Sequence, residues 1–214
     1  NLLVDALPAS ILNITSTTPN GAYSIGSLIN VTVNFSEIVT LNGTLSVSLD
    51  TGAVVTISPF IHSSQGSGTY TVIPFDASLD LDSVGITLSG TMSDTAFNGV
   101  IIALPASTIA VNKNIIIDTT NPDITSIQSL SPDGYYSVGE TINIAVTFSG
   151  TVTLAGGTLS VNLTSGGTVL FGPFTGTAAV GVYTVLAGHN TNLLNATGIS
   201  LPTGSIFDVA NNIA

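Results

Sequence analysis

Three groups of side chains in this sequence have types and spacings that could do chemistry. The first is a set of acids, Asp5, Glu37, Asp80, Asp82, Asp94, Asp118 and Asp208. Carboxylates that converge with amides and carbonyls make the oxygen-rich site that Ca2+ takes, with about six to eight ligands. The second group is His62 and His189. Either could serve as a catalytic base, but no nucleophile or paired acid stands beside it, so solvated loop histidines are expected. The third is Lys113, followed by Asn114. A Lys–Asn isopeptide bond would use that pair, yet one Lys cannot serve two domains and no partner Glu can be assigned. Cysteine is absent, which excludes thiol catalysis and disulfide staples. Gly66-Ser67-Gly68 and Gly156-Gly157 have no helix after them and read as turn glycines, not phosphate loops. No enzyme is expected, and calcium is the one cofactor candidate.

The elements that would position these residues must come from a chain with little charge. Only 6% of the 214 residues are charged, and the net charge is −11. A single basic residue excludes nucleic acid as a partner, because phosphate binding needs clustered Lys and Arg. It disfavours an anionic membrane surface for the same reason. Mean hydropathy is +0.60, yet no apolar run reaches the length of a membrane helix, and no insertion is expected. No signal peptide is visible, which leaves a mature chain, a fragment or a cytosolic protein. A surface of uncharged hydroxyls and amides stays soluble without Lys and keeps its properties in acid. It points to an extracellular or cell-surface location.

The chain contains two copies of one pattern. Pro19-Asn20-Gly21-Ala22-Tyr23-Ser24-Ile25-Gly26 matches Pro132-Asp133-Gly134-Tyr135-Tyr136-Ser137-Val138-Gly139, an offset of 113. Gly43-Thr44-Leu45-Ser46-Val47 matches Gly157-Thr158-Leu159-Ser160-Val161 at 114. Gly68-Thr69-Tyr70-Thr71-Val72 matches Gly181-Val182-Tyr183-Thr184-Val185, and Asp94-Thr95-Ala96-Phe97-Asn98 matches Asp208-Val209-Ala210-Asn211-Asn212. Within each copy the apolar residues alternate, as in Ile29, Val31, Val33 and Phe35, which is the period of half-buried antiparallel strands. Seven strands are expected in the first copy, near residues 11–15, 28–35, 44–49, 54–57, 69–75, 85–89 and 109–117. The fold class is therefore all-β, as two tandem seven-stranded immunoglobulin-like β-sandwiches.

An Ile-Asp-Thr-Thr-x-Pro junction at Ile117–Pro122, a Gly-x-Tyr-x-x-Gly turn, an apolar strand ending Phe35-Ser36-Glu37 and a late Asp-x-Ala-x-Asn stand in this order. The arrangement resembles the bacterial and archaeal Ig-like tandem repeats of large surface proteins, adhesins and extracellular filaments. The resemblance covers essentially the whole chain. It implies a β-sandwich rod outside the cell, often calcium-binding. The second copy departs from it, with Gly150 where the first has Glu37.

Three segments follow: 1–5, an orphan strand end; 6–118, domain 1; and 119–214, domain 2. The seventh strand of domain 2 is expected near position 223, one offset of 114 after Ile109 and past Ala214. Meanwhile Asn1, Leu2, Leu3 and Val4 repeat Asn114–Ile117, the end of a seventh strand. One reading is a window cut from a longer repeat array. The other is strand donation, in which the N-terminal strand of one copy completes domain 2 of its neighbour, head to tail. Both make the object a rod or filament whose partners are other copies of itself or flanking repeats.

In such a sandwich Asp5, Glu37 and Asp94 share one end, with Asn98 near them, and Asp118 and Asp208 share the equivalent end of domain 2. Asp76, Asp80 and Asp82 would close on Asp118 from the other side. The alternative is that these acids cap turns. Six Asn-x-Ser/Thr sequons, at Asn13, Asn30, Asn34, Asn42, Asn162 and Asn195, are glycosylation candidates, although a Thr- and Asn-rich chain also produces sequons by chance. The expected function is a structural subunit of an extracellular filament or rod. The alternative is a carbohydrate- or receptor-binding adhesin module stiffened by calcium.

Overall fold

The computed structural model describes residues 4–214. The chain is all-β, with several sheets and one helical turn. It divides into two compact units, 1–119 and 120–214.

Unit 1 contains β1 (Ile11–Thr15), β2 (Gly21–Tyr23), β3 (Leu28–Leu49), β4 (Val54–Ile57), β5 (Phe60–Thr71), β6 (Ala77–Ser78), β7 (Ser83–Asp94), α1 (Ile109–Asn112) and β8 (Ile115–Asp118). β3 is the spine. Its first half pairs antiparallel with β1 and β5, and its second half with β7 and β4. The register against β5 shifts between Asn34 and Leu41, where the strand changes partners. Bulges of this kind let one strand serve two layers. Ile29, Val31, Val33 and Phe35 from the first half join Leu45, Val47 and Leu49 from the second in one buried core. The alternation of the sequence is thus the alternation of burial.

The expected break between strands at 35 and 44 is corrected: residues 36–43 continue the strand. They carry no Pro, and Val39 and Leu41 keep the buried parity. Glu37 therefore lies within a strand, not in a turn. The fifth and sixth expected strands are also longer, reaching from Phe60 to Thr71 and from Ser83 to Asp94.

The seventh strand differs most. Residues 109–112 form the helical turn α1, and only Ile115–Asp118 is extended. Asn112 Nδ2 donates to the carbonyls of Thr108 (2.6 Å) and Ile14 (3.2 Å), and Asp82 Oδ1 accepts from the Ala110 N–H (3.1 Å). These side-chain bonds give the backbone an alternative to a ladder. β8 then runs parallel to β2 and antiparallel to β6, a three-stranded sheet of its own. Gly21–Tyr23, expected as part of a turn, is a strand because β8 pairs with it.

Unit 2 contains β9 (Ile124–Ser129), β10 (Thr141–Ala155), β11 (Leu159–Leu163), β12 (Thr168–Phe171), β13 (Phe174–Thr184), β14 (Ala196–Ser200) and β15 (Ser205–Phe207). One sheet joins β9, β10, β13 and β15; the other joins β11, β12 and β14. Both contribute to one core, with Ile144 and Val146 from the first and Val161 and Val169 from the second. Two layers around a shared core are compatible with a β-sandwich.

Several devices recur at the repeat offset. Tyr23 donates its hydroxyl to Pro19 O (2.8 Å), as Tyr136 does to Pro132 O (2.7 Å). Phe35 lies 6.1 Å from Phe60, and Phe148 lies 5.7 Å from Phe174, both pairs tilted by 37°. The sheet formed by β2, β6 and β8 has no counterpart in unit 2 among the described residues. Among the described residues no helix is long and apolar enough to cross a membrane.

Candidate functional site

Two places hold the residues that the sequence singles out. At the first, Asp5 precedes β1, Glu37 lies in mid-β3 and Asp94 ends β7. One carboxylate oxygen from each lies within 4.8 Å of the others, the only such group of potential metal ligands among the described residues. Asp5 is exposed, Glu37 half-buried and Asp94 buried.

Asp94 has a local task as well. Its Oδ1 accepts from the N–H groups of Ala96 (2.8 Å) and Asn98 (2.9 Å), and its Oδ2 accepts from Asn98 Nδ2 (3.0 Å). Burial pushes the carboxyl up, but the bonds from the Asn98 side chain and the two N–H groups outweigh it and hold the group below the ordinary carboxylate range. Asp208 does the same in unit 2, through Ala210 N (2.8 Å), Asn212 N (2.9 Å) and Asn212 Nδ2 (2.9 Å). Turn capping therefore accounts for Asp-x-Ala-x-Asn in both copies. Asp5 caps a local turn too, its Oδ1 accepting from the Leu7 N–H (3.1 Å), but turn capping does not account for Glu37 arriving beside the two. Two like charges about 4 Å apart repel by roughly 1 kcal/mol in water and about 4 kcal/mol near a protein surface. The donor set is all oxygen, which suits Ca2+, with solvent completing the shell. In unit 2, Gly150 supplies no ligand at the position of Glu37.

The other acids are engaged locally. Asp80 Oδ1 accepts from the Ile115 N–H (3.4 Å), and Asp82 Oδ1 from Ser83 N (2.8 Å) and Ala110 N (3.1 Å). Asp76 Oδ2 accepts from the Tyr70 hydroxyl (2.6 Å) and Ile73 N (3.0 Å). Burial, followed by the bond to Asp76, pushes the Tyr70 phenol far above its ordinary value. Asp118 is the last residue of β8, opposite Ala77.

The linkage at Asp94 has a definite sign. A carboxyl depressed in the folded state stabilises above the unfolded value of about 3.9 and loses that contribution as pH falls. Unit 1 is expected to melt earlier as pH drops below about 4, and Asp94→Asn to flatten that dependence in a calorimetric pH series. If the three acids hold Ca2+, the expected result at neutral pH is a rise in the melting temperature of unit 1 on adding the ion, and loss of that rise in Glu37→Gln.

The second place is a groove in unit 2. It encloses about 500 Å3, and its lining includes Gly134, Tyr135, Tyr136, Ile142, Tyr183 and Leu194. At the offset of 113 these are Gly21, Ala22, Tyr23, Ile29, Tyr70 and Leu81. In unit 1 the same position holds β8, whose Ile115 and Ile117 are 0% and 2% exposed. The lining responds to the difference: Leu81 is fully buried beside β8, whereas Leu194 is half-exposed.

The backbone tells the same story. In unit 1 the Gly21 N–H donates to Asn114 O (3.0 Å) and the Leu81 N–H to Ile115 O (2.7 Å). Their counterparts, the N–H groups of Gly134 and Leu194, have no backbone acceptor among the described residues. Donors left open where unit 1 pairs with β8 are a template for an added strand.

His189 belongs to this groove. Expected as a solvated loop residue, it replaces Asp76 of unit 1 and stacks on Tyr183, with ring centroids 5.6 Å apart. Its Nδ1 lies 2.8 Å from the Tyr183 hydroxyl, which also meets Ser165 Oγ at 2.8 Å. The repeat alignment places His189 at the position of Asp76, but the change of residue type hides its role. The donor-strand residues Asn1, Leu2 and Leu3 lie outside the described residues; Val4 is exposed and in no strand. His62 is an exposed residue of β5 at φ +51°, and Lys113 caps α1.

The sequons separate by environment. Asn34 Nδ2 donates to Asn13 Oδ1 (2.7 Å), and Asn30 Oδ1 accepts from Thr17 N and Thr32 Oγ1. Asn42, Asn162 and Asn195 are exposed. Glycopeptide mass spectrometry of native material is expected to find glycans at these three before Asn34, whose amide nitrogen is already engaged.

The chain matches no protein-family model and no curated protein.

Proposed function

We propose that this chain is a structural subunit or repeat segment of an extracellular filament or cell-surface rod, built from tandem immunoglobulin-like sandwiches. Copies join head to tail, with the segment Asn1–Val4 of one completing unit 2 of a neighbour. The observation that carries this reading is the groove of unit 2, lined by the repeat counterparts of the residues that enclose β8 in unit 1. A sandwich with that groove uncovered leaves backbone donors without a ladder partner, which favours capture of a strand. The segment Asn1–Val4 repeats the sequence of the cover, Asn114–Ile117.

Electron microscopy of native material tests the proposal. Filaments, with a ladder of multimers on an unboiled gel, are the expected result. Native material without filaments, together with a preparation of these residues that stays monomeric at high concentration, would overturn it.

A second reading is a calcium-dependent adhesin module that binds a carbohydrate or receptor. It rests on Phe97, which is 88% exposed at φ +67° in the loop that Asp94 caps beside Asp5 and Glu37. Calcium-dependent retention on immobilised glycans, lost in Phe97→Ser, would favour it.

A further inference from the structure

We infer that the groove of unit 2 is a peptide site with a fixed register: it takes Leu2-Leu3-Val4-Asp5 of a second copy parallel to Gly134–Tyr136, with Leu2 and Val4 inward and Leu3 against Tyr135. The inference rests on the strand-donation reading above and deepens it by naming the occupant, its direction and the residues that select it.

The register comes from β8. In unit 1, Ile115, Ile116 and Ile117 pair in parallel with Gly21, Ala22 and Tyr23, and Asp118 and Ile117 lie opposite Ala77 and Ser78. Moving both sides by their offset of 113 places Leu2 opposite Gly134, Leu3 opposite Tyr135 and Val4 opposite Tyr136. On the other rim, Val4 faces Thr191 and Asp5 faces Asn190. Side chains in a strand alternate, so a slip of one residue would turn both inward residues out. Ile115 and Ile117 are buried and Ile116 is half-buried, which sets the parity for Leu2, Val4 and Leu3.

Three differences between the units act on selection. Tyr135, fully exposed, stands where unit 1 has Ala22, and gives the outward Leu3 an aromatic cross-strand neighbour. Asp133 stands where unit 1 has Asn20, whose Oδ1 accepts from the Asn114 N–H at 3.2 Å. The Asn1 nitrogen therefore meets a carboxylate, a stronger acceptor than an amide. Ala6 stands where unit 1 has Thr119, whose hydroxyl donates to Asp76 O at 2.9 Å. That bond has no counterpart, so the docked segment is held from Asn1 to Asp5.

The test uses the full chain with Leu2→Asp and Val4→Asp, which disables its own donor and leaves the groove open. The probe is a fluorescent peptide of residues 1–8, titrated by anisotropy. Saturable binding is expected. Leu2→Asp or Val4→Asp in the peptide weakens it at least about tenfold, and Leu3→Asp less than about threefold. A photo-cross-linker at peptide position 3 labels Tyr135. Asp133→Asn in the chain weakens binding of the wild-type peptide by a few-fold. Loss centred on Leu3, or labelling of the antiparallel rim from position 3, overturns the register. Absence of peptide binding overturns the site. Filaments in native material beside either failure leave the assembly reading standing; in-register binding with no filaments removes the assembly reading and keeps the site.

Discussion

Gly43→Ala is expected to destabilise unit 1 by at least about 3 kcal/mol, with Gly90→Ala equally severe. Gly43 and Gly90 face each other in the antiparallel ladder between β3 and β7. Their φ angles are +124° and +104°, a region that side chains rarely enter. A Cβ on Gly43 would lie 2.1 Å from Ser89 O and 2.9 Å from the Gly90 Cα; one on Gly90 would lie 2.2 Å from Asn42 O. Backbone, unlike a side-chain tip, cannot swing aside. Strain of about 1–3 kcal/mol therefore adds to overpacking of similar size. The pair recurs as Gly157 and Gly204, where an added Cβ would meet Thr203 O at 1.8 Å and Ala155 O at 2.4 Å. Gly204→Ala should thus unfold unit 2 and spare unit 1. Gly26→Ala is the control: φ is +85° there, but nothing lies within 4 Å of the new methyl. It should cost about 1 kcal/mol, against a drop of at least about 10 °C in the melting temperature of unit 1 for Gly43→Ala. Equal effects from the two substitutions would remove close backbone approach as the reason for Gly43.

That glycine pair was only half legible in the sequence. The match of Gly43 to Gly157 was visible as a repeat, but nothing local says that Gly90 and Gly204 face them. The alternating Ile29, Val31, Val33 and Phe35 announced a half-buried strand because burial on one face leaves a period of two. The continuation through residues 36–43 was hidden because Asn42-Gly43 carries the composition of a turn. The helical turn at Ile109–Asn112 was hidden for another reason. Asp82 and Asn112 decide it, from 28 residues away and from Asn112's own side chain. Convergence of Asp5, Glu37 and Asp94 was legible from sandwich connectivity, because all three lie at one end whichever strands merge. The role of His189 was not, since it replaces an Asp and shares no residue type with its counterpart.

Ile117→Asp is expected to remove β8 from unit 1 and leave it with the groove that unit 2 has. Ile117 is 2% exposed in the core with Ile115. Losing its burial costs about 2–3 kcal/mol, and placing an unpaired carboxylate there adds at least about as much. The only basic side chain in the protein is Lys113, so no cation compensates. The strand will leave before the carboxylate stays. The Gly21 and Leu81 N–H groups, bonded to the Asn114 and Ile115 carbonyls, then lose their acceptors. Hydrogen exchange should show both amides losing protection, while the ladder between β3 and β7 stays protected. Its pairing does not involve β8. The melting temperature of unit 1 should fall by at least about 10 °C, and a peptide of residues 114–119 supplied in trans should restore much of it. Unit 2 already keeps two sheets and a common core beside the uncovered groove, which is why loss of one strand is expected to open unit 1 without dissolving it. If Ile117→Asp melts like the unaltered chain, β8 is not a cover, and the groove of unit 2 has no strand to wait for. If rescue succeeds with the residue 1–8 peptide as well as with residues 114–119, the two sequences are interchangeable covers, and a strand that closes unit 1 from within its own chain can close unit 2 from outside it.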